Sequence, residues 1–419
     1  MHQKFILDSK VNVLIENIPH VRSVAIGFWV NVGSRDETAE INGISHFIEH
    51  MMFKGTQKRT AKEIAETLDA VGGHLNAFTT KEYTCYYARV LDEYFDLAVE
   101  ILGDMLFQPK FDHWDIEREK NVIIEEIKMH EDTPDELVHD IFAGSIWQKH
   151  ALGRPVIGTT EVIAGLTRRQ VWDFYNKYYT PGNMVVSVAG NIKPEGVVNK
   201  IRNILDFKGG KVAAREMMTP VPCKKINCCN KKTEQVHLCV GAPGLSLDNE
   251  DIYVFQVINT ILGGGISSRF FQEIREQRGL VYSVFSYHAS YHDTGLFCIY
   301  AGLSKQNVDL VLDIMFKQIG DIQLNGLKND EVQRAKDQIK GNLYLSLESV
   351  SARMSRLGKS QIYLKEVISP EEIVDRVSRV TPDKIQELAR EILKPEFFTM
   401  ATIGPWVDCG IFQKALKQL

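Results

Sequence analysis

Apolar and polar positions alternate with a period of two over Phe5–Ile15 and again over Val21–Val32, which predicts two strands. The turn-forming run Asn17-Ile18-Pro19-His20 between them predicts an opening hairpin. The period then lengthens. From Asn42 onward Ile44, Phe47, Ile48, Met51 and Met52 recur at helical spacing, and a second helix follows the capping residue Thr60 as far as Ala70, stopped by Gly72-Gly73. Strand periodicity returns over His74–Thr79 and Thr84–Val90. The pattern is helical after that, over Leu91–Leu106, over a long amphipathic run from His113 to about His130, and over Pro134–Trp147. Met184–Ala189 reads as a short strand closed by Gly190-Asn191.

Residues 207–221 hold no sustained period and carry two glycines and a proline, so they read as a linker. Beyond it the same grammar repeats: strand Val236–Gly241, helix Asp251–Leu262, helix Phe270–Arg278, then strands Tyr282–Ser290 and Gly295–Ala301. The run Asp115–Ile127 also superposes on Glu331–Leu343 at a constant offset (331 − 115 = 216), with the apolar positions mostly in step. The chain is thus predicted to be a duplication of α+β type, with domains at 1–206 and 222–419 joined by the linker, each a mostly antiparallel mixed sheet packed against helices. The acids do not repeat. Glu119 becomes Ala335, Glu126 becomes Asn342, and His46 and His50 have no counterparts, so only the first half can hold the chemistry they carry.

Bulk properties narrow the classes. A length of 419 residues exceeds one ordinary core, and 44% hydrophobic with 25% charged residues is globular. A net charge of −5 argues against a nucleic-acid partner. No apolar run follows a basic start and none is long enough to span a bilayer, so a cytoplasmic protein without a membrane span is expected. The closest cysteines, Cys223, Cys228 and Cys229, lack the two-residue spacer of a zinc knuckle, and the seven thiols are expected to be reduced, buried or incidental.

The segment His46-Phe47-Ile48-Glu49-His50 carries the distinctive chemistry. On a helix His46 and His50 lie one turn apart on one face, where two imidazoles chelate one ion, with Glu49 beside them. A hydrolytic zinc takes three protein ligands and leaves a position for water, so a third donor must come from elsewhere, and the carboxylates of the long helix are candidates. A glutamate beside the ligands suits the task of taking a proton from water made acidic by the metal and passing it to the leaving amine; Glu49 fits. The order of residues inverts the commoner zinc-protease helix motif.

The sequence resembles the pitrilysin and mitochondrial processing peptidase family of zinc metallopeptidases, as a bacterial-type single-half member. The resemblance covers nearly the whole chain. It rests on His46–Thr56, Gly72–Thr79, the helix from Glu119 to Glu126, Gly153-Arg154-Pro155 with Gly158-Thr159, and Arg275–Tyr282. It implies one zinc per chain, held by His46, His50 and Glu126 in preference to Glu125, with Glu49 and Glu119 as catalytic carboxylates, Glu119 supporting a ligand or the proton transfers from behind. It implies that Leu75-Asn76-Ala77-Phe78 is an edge strand on which Asn76, Ala77 and Phe78 meet an added substrate strand; an ordinary hairpin strand with Asn76 at a bulge is the plainer reading. It also implies that Arg275 and Tyr282 bind substrate and the charge developing on its carbonyl. Without it, Arg275 reads as a surface charge and Tyr282 as a half-buried strand aromatic.

In the family's long members four such domains form a two-bowl chamber, so a two-domain chain is half of a clamshell. The implied unit is a homodimer in which each zinc site is completed by Arg275 and Tyr282 of the other chain. The implied activity is an endopeptidase acting on unfolded peptides or presequence-like segments. The alternatives are a subunit that needs a different partner chain, or a non-catalytic scaffold such as the family also contains.

Overall fold

The computed structural model describes residues 2–205, 215, 217–405 and 408–418, so most of the expected linker lies outside the described residues. Two compact units emerge. The first takes Met1–Lys128, Arg154–Glu216 and Leu345–Val367, and the second Met129–Gly153, Met217–Tyr344 and Ile368–Leu419. The expectation of one contiguous domain on each side of a linker therefore differs from the structure in the ownership of two helical segments.

In the first unit strands β1 (His2–Ile6), β2 (Asn12–Asn17), β3 (Ser23–Val30), β4 (His74–Thr79), β5 (Thr84–Leu91) and β6 (Met184–Gly190) form one sheet in the order β1-β2-β6-β3-β5-β4. Only β2 and β6 run parallel. One face carries Val13, Ile15, Val24, Ile26, Phe28 and Tyr86 into the main core. Among the helices packed on that side are α1 (Ile44–Met52), α2 (Ala61–Asp69), α3 (Phe95–Phe107) and α4 (His113–Glu131), whose buried residues include Phe47, Ile64, Leu102 and Ile123. The opposite face buries Leu14, Ala25, Trp29 and Val185 under the helix Val350–Tyr363, which comes from the far half of the sequence.

In the second unit β7 (Ile226–Asn230), β8 (Val236–Gly244), β9 (Val281–Ser290), β10 (Gly295–Leu303) and β11 (Thr399–Gly404) stand in the order β7-β11-β8-β10-β9. With β1 set aside, this is the order of the first sheet, again with one parallel pair, β7 with β11. One face buries Leu238, Val240, Phe297 and Ile299 against Phe255, Met315 and Ile385. The other buries Cys239, Cys298, Tyr300 and Ala401 under α5 (Pro134–Ile146), from the first half of the sequence. The two covering helices begin at the duplication's own offset (350 − 134 = 216), so α5 and Val350–Tyr363 are equivalent elements exchanged between the two repeats.

The opening hairpin differs from its expectation. It is built from β1 and β2, because the chain reverses at Leu7–Lys10 with Lys10 in the left-handed region at φ 68°. β3 is not the neighbour of β2; β6 lies between them. Alternation reports which face a residue takes, not which strand lies alongside. Among the cysteines, Cys228 and Cys409 are joined by a disulfide, against the expectation of free thiols, while Cys85, Cys239 and Cys298 are free and buried. Among the described residues no helix is long and apolar enough to cross a membrane.

Candidate metal centre

The helix bearing the histidines is fixed at its start. Gly43, at φ 97°, precedes α1, and the buried Glu37 carboxylate accepts from the Gly43 N–H at 2.7 Å, the Ser45 N–H at 2.8 Å and the Asn42 amide at 2.9 Å. A carboxylate placed there satisfies otherwise orphaned helix donors and opposes the helix dipole. Burial nonetheless raises the Glu37 pKa, outweighing those hydrogen bonds, which lower it. The segment after Gly153 braces the same point. Arg154 donates to the Glu37 carbonyl, the Asn42 amide donates to Pro155 O at 3.1 Å, and Gly158 lies so close that a Cβ there would stand 2.5 Å from Asn42 O. This gives a physical reason for the Gly153–Thr159 stretch of the sequence pattern.

One turn into α1, His46 and His50 stand together with ring centroids 4.6 Å apart. From α4, Glu126 brings Oε1 to 3.8 Å from His46 Nε2 and Oε2 to 3.6 Å from His50 Nε2. One ligand atom from each of the three lies within 4.8 Å of the others. Glu125, one residue away on the helix, faces solvent and pairs with Lys128 at 2.7 Å.

Behind the trio, the buried Glu119 accepts from His50 Nδ1 at 2.8 Å and holds Lys54 Nζ at 2.7 Å. The Glu119 hydrogen bond occupies Nδ1, leaving Nε2 of His50 as the atom aimed at Glu126. Burial raises the Glu119 pKa, but the bonds to His50 and Lys54 outweigh it and hold the carboxyl below its ordinary value. For His46, burial and the neighbouring His50 push the imidazole down to about 3, so it is neutral, as a metal ligand must be. Two imidazole nitrogens and a carboxylate oxygen converge here from two helices, a set of donors that could hold a zinc ion.

Glu49 sits beside this set, where it accepts from Thr79 Oγ1 at 2.5 Å. Burial raises its pKa, with Thr79 and His50 pulling the other way. Thr79 ends β4, the edge strand of the first sheet. β4 pairs with β5 from His74 to Thr79 without a register break, so Asn76 is not at a bulge; its Oδ1 accepts from the Ala77 N–H at 2.8 Å. Phe78 packs edge-on against Trp29 at 5.9 Å. Asn76 is exposed, and Ala77 and Phe78 are partly so.

Arg275 and Tyr282 belong to the second unit. Arg275 lies on a π-helical turn, Phe271–Glu276, with its guanidinium 5.8 Å from the Tyr282 ring and 4.9 Å from that of Phe271. Tyr282 is 74% exposed, far more than a half-buried strand aromatic. Lys54 and Thr79 were not singled out from the sequence. Both lie within the motif segments around His50 and Asn76, and nothing in their spacing marks them as partners of Glu119 and Glu49.

A family model described as insulinase (peptidase family M16) matches residues 12–160, the stretch that holds His46, His50 and Glu126, and one described as the peptidase M16 inactive domain matches 165–339. An uncharacterized zinc protease of Bacillus subtilis (strain 168), YmxG, is 42% identical over 97% of this chain and 98% of its own length. An uncharacterized zinc protease of Streptomyces coelicolor is 42% identical over 96% of this chain and 89% of its own. A crystal structure of a peptidase M16 inactive domain from Pseudomonas fluorescens superposes with a TM-score of 0.91 over 97% of this chain and 98% of that one, at 20% identity, and shows the shared fold. With two halves that match the family's two models in order, and relatives this similar along nearly the full length, the chain belongs to the M16 peptidase family.

Proposed function

We propose that the protein is a zinc-dependent endopeptidase that hydrolyses peptide bonds in unfolded peptides or presequence-like segments. The observation that supports this most directly is the convergence of His46, His50 and Glu126 on one point, with a partly buried carboxylate, Glu49, beside it. His46, His50 and Glu126 would hold the zinc, which when bound would supply Lewis acidity for a carbonyl and for water. The chain's own residues do the rest. Glu49, positioned by Thr79, accepts the proton of the attacking water and delivers it to the leaving amine. Glu119 acts as a positioning residue, fixing the orientation of His50.

The free edge of β4 takes the substrate as an added strand, with main-chain hydrogen bonds near Asn76 and Ala77 and contact at Phe78. Arg275 and Tyr282 hydrogen-bond the carbonyl oxygen as charge builds on it. They are supplied by a second copy of the chain, so that a homodimer carries two equivalent sites. Metal analysis and cleavage of an unstructured peptide by the wild type and E49Q test the central claim. The wild type binds zinc and cleaves, and E49Q binds zinc and loses activity by a factor of about 100 or more. A wild type without zinc, or an E49Q chain that cleaves as fast, overturns it.

A further inference from the structure

The largely apolar layer between α5 and the outer face of the second sheet holds a polar cluster around His139. Cys298 on β10 stands opposite Gly241 on β8 and Tyr287 on β9, and Cys239 lies two residues from Gly241 on the same face of β8. Both thiols are fully buried and free. His139 descends from α5 between them, with Nδ1 3.5 Å from Cys239 Sγ and 2.7 Å from the Tyr287 hydroxyl. Its ring lies among Phe285, Tyr287 and Tyr300. One ligand atom from each of His139, Cys239 and Cys298 lies within 4.8 Å of the others.

We propose that His139, Cys239 and Cys298 form a second metal site, a structural site for a thiolate-binding cation such as Zn2+, with the Tyr287 hydroxyl beside its fourth position. The donors come from three elements and present one imidazole nitrogen and two sulfurs, a set suited to zinc and unlike the two imidazoles and carboxylate of the first unit. Donor atoms around a tetrahedral zinc lie roughly 3.3–3.8 Å apart, given Zn–S of about 2.3 Å and Zn–N of about 2.0 Å. From separations within 4.8 Å, the trio thus needs to close by about 1–1.5 Å at most. Gly241 makes the approach of α5 possible, since a Cβ there would meet Phe142 Cζ at 2.8 Å and Phe297 O at 1.9 Å. With both thiols out of reach of solvent, the site is suited to tying the exchanged helix α5 to the sheet beneath it rather than to catalysis.

The test uses the full chain carrying H46N and H50N, kept reduced, stripped with chelator and reloaded with Zn2+ or with Co2+. This variant lacks the histidines of the proposed catalytic site and leaves the cluster untouched. It is expected to hold about one metal equivalent per chain and to show a sulfur-to-cobalt charge-transfer band. Adding C298S or H139Q removes both, and chelation lowers the thermal midpoint only where the cluster is intact. A folded H46N/H50N chain that binds no metal, or whose cobalt spectrum lacks the thiolate band, overturns the proposal. Should that variant fail to fold, E126Q takes its place, and the thiolate band alone decides.

Discussion

His50 is held from two sides, with Nδ1 bonded to Glu119 and Nε2 facing Glu126. If Glu119 fixes the orientation of His50, E119Q leaves the fold intact and weakens zinc affinity by about 10–100-fold, measured by competition with a chromophoric chelator. Unchanged affinity would contradict that role. A second histidine carries a pH dependence of stability. The hydrogen bond to Asp140, at 3.0 Å, raises the His130 pKa above its ordinary 6.5, against the effect of burial, and Glu136 adds to it. The folded protein therefore holds this proton more tightly than the unfolded chain. Its stabilisation is complete below pH 6.5 and is lost as pH rises through the folded-state value. The difference in denaturant midpoint between the wild type and H130Q is expected to shrink from about pH 5.5 to about pH 8. A difference that grows with pH would reverse the sign of this linkage.

Among the elements, the exchanged helix Val350–Tyr363 is bound to the first sheet by a buried relay: the Trp29 indole donates to Ser187 Oγ at 2.8 Å, and that hydroxyl donates to Met354 O at 2.9 Å. Gly358 sits directly over the same indole, where a Cβ would lie 2.2 Å from Trp29 Cε2. Trp29 is fully buried and has no room to yield. G358A is therefore expected to destabilise by about 1–3 kcal/mol in denaturant melts. Gly341, on the helix Asn329–Ser346, meets nothing within 4 Å of an added Cβ, so G341A is expected to stabilise by up to about 1 kcal/mol. Equal effects at both positions would show that packing against Trp29 does not decide the first. Helix periodicity does not separate a glycine needed for approach from one facing open space. The helices α1, α4 and α5 and the strand β4 were legible because each repeats its apolar period over several turns or pairs.

For the whole molecule, the proposed homodimer makes a prediction that no single chain can satisfy. Mixing E49Q chains, which keep Arg275 and Tyr282, with R275A chains, which keep Glu49, is expected to restore about one working site per heterodimer although each parent is impaired. Cleavage that never exceeds the sum of the separate parents would count against a shared site. The same duplication also bears on why the candidate metal donors occur once. Ala335 and Asn342 stand where the first repeat has Glu119 and Glu126, so the second repeat kept the sheet order and gave up the donor set.

The sequence by itself determined the duplication, the helix that pairs His46 with His50 and the zinc chemistry expected of them. These depend on spacing along one element, and helix geometry converts spacing into position. It left the third ligand open among neighbouring carboxylates until a family resemblance singled one out. Only tertiary structure decided that Glu126 meets the histidines while Glu125 faces Lys128, that Lys54 and Thr79 hold Glu119 and Glu49, and that β6 separates β2 from β3. It alone decided that each repeat's sheet is covered by the other's helix, and that His139 meets Cys239 and Cys298 from positions a hundred and more residues apart. Those outcomes depend on which surfaces pack together, a property of the folded chain that no local period encodes.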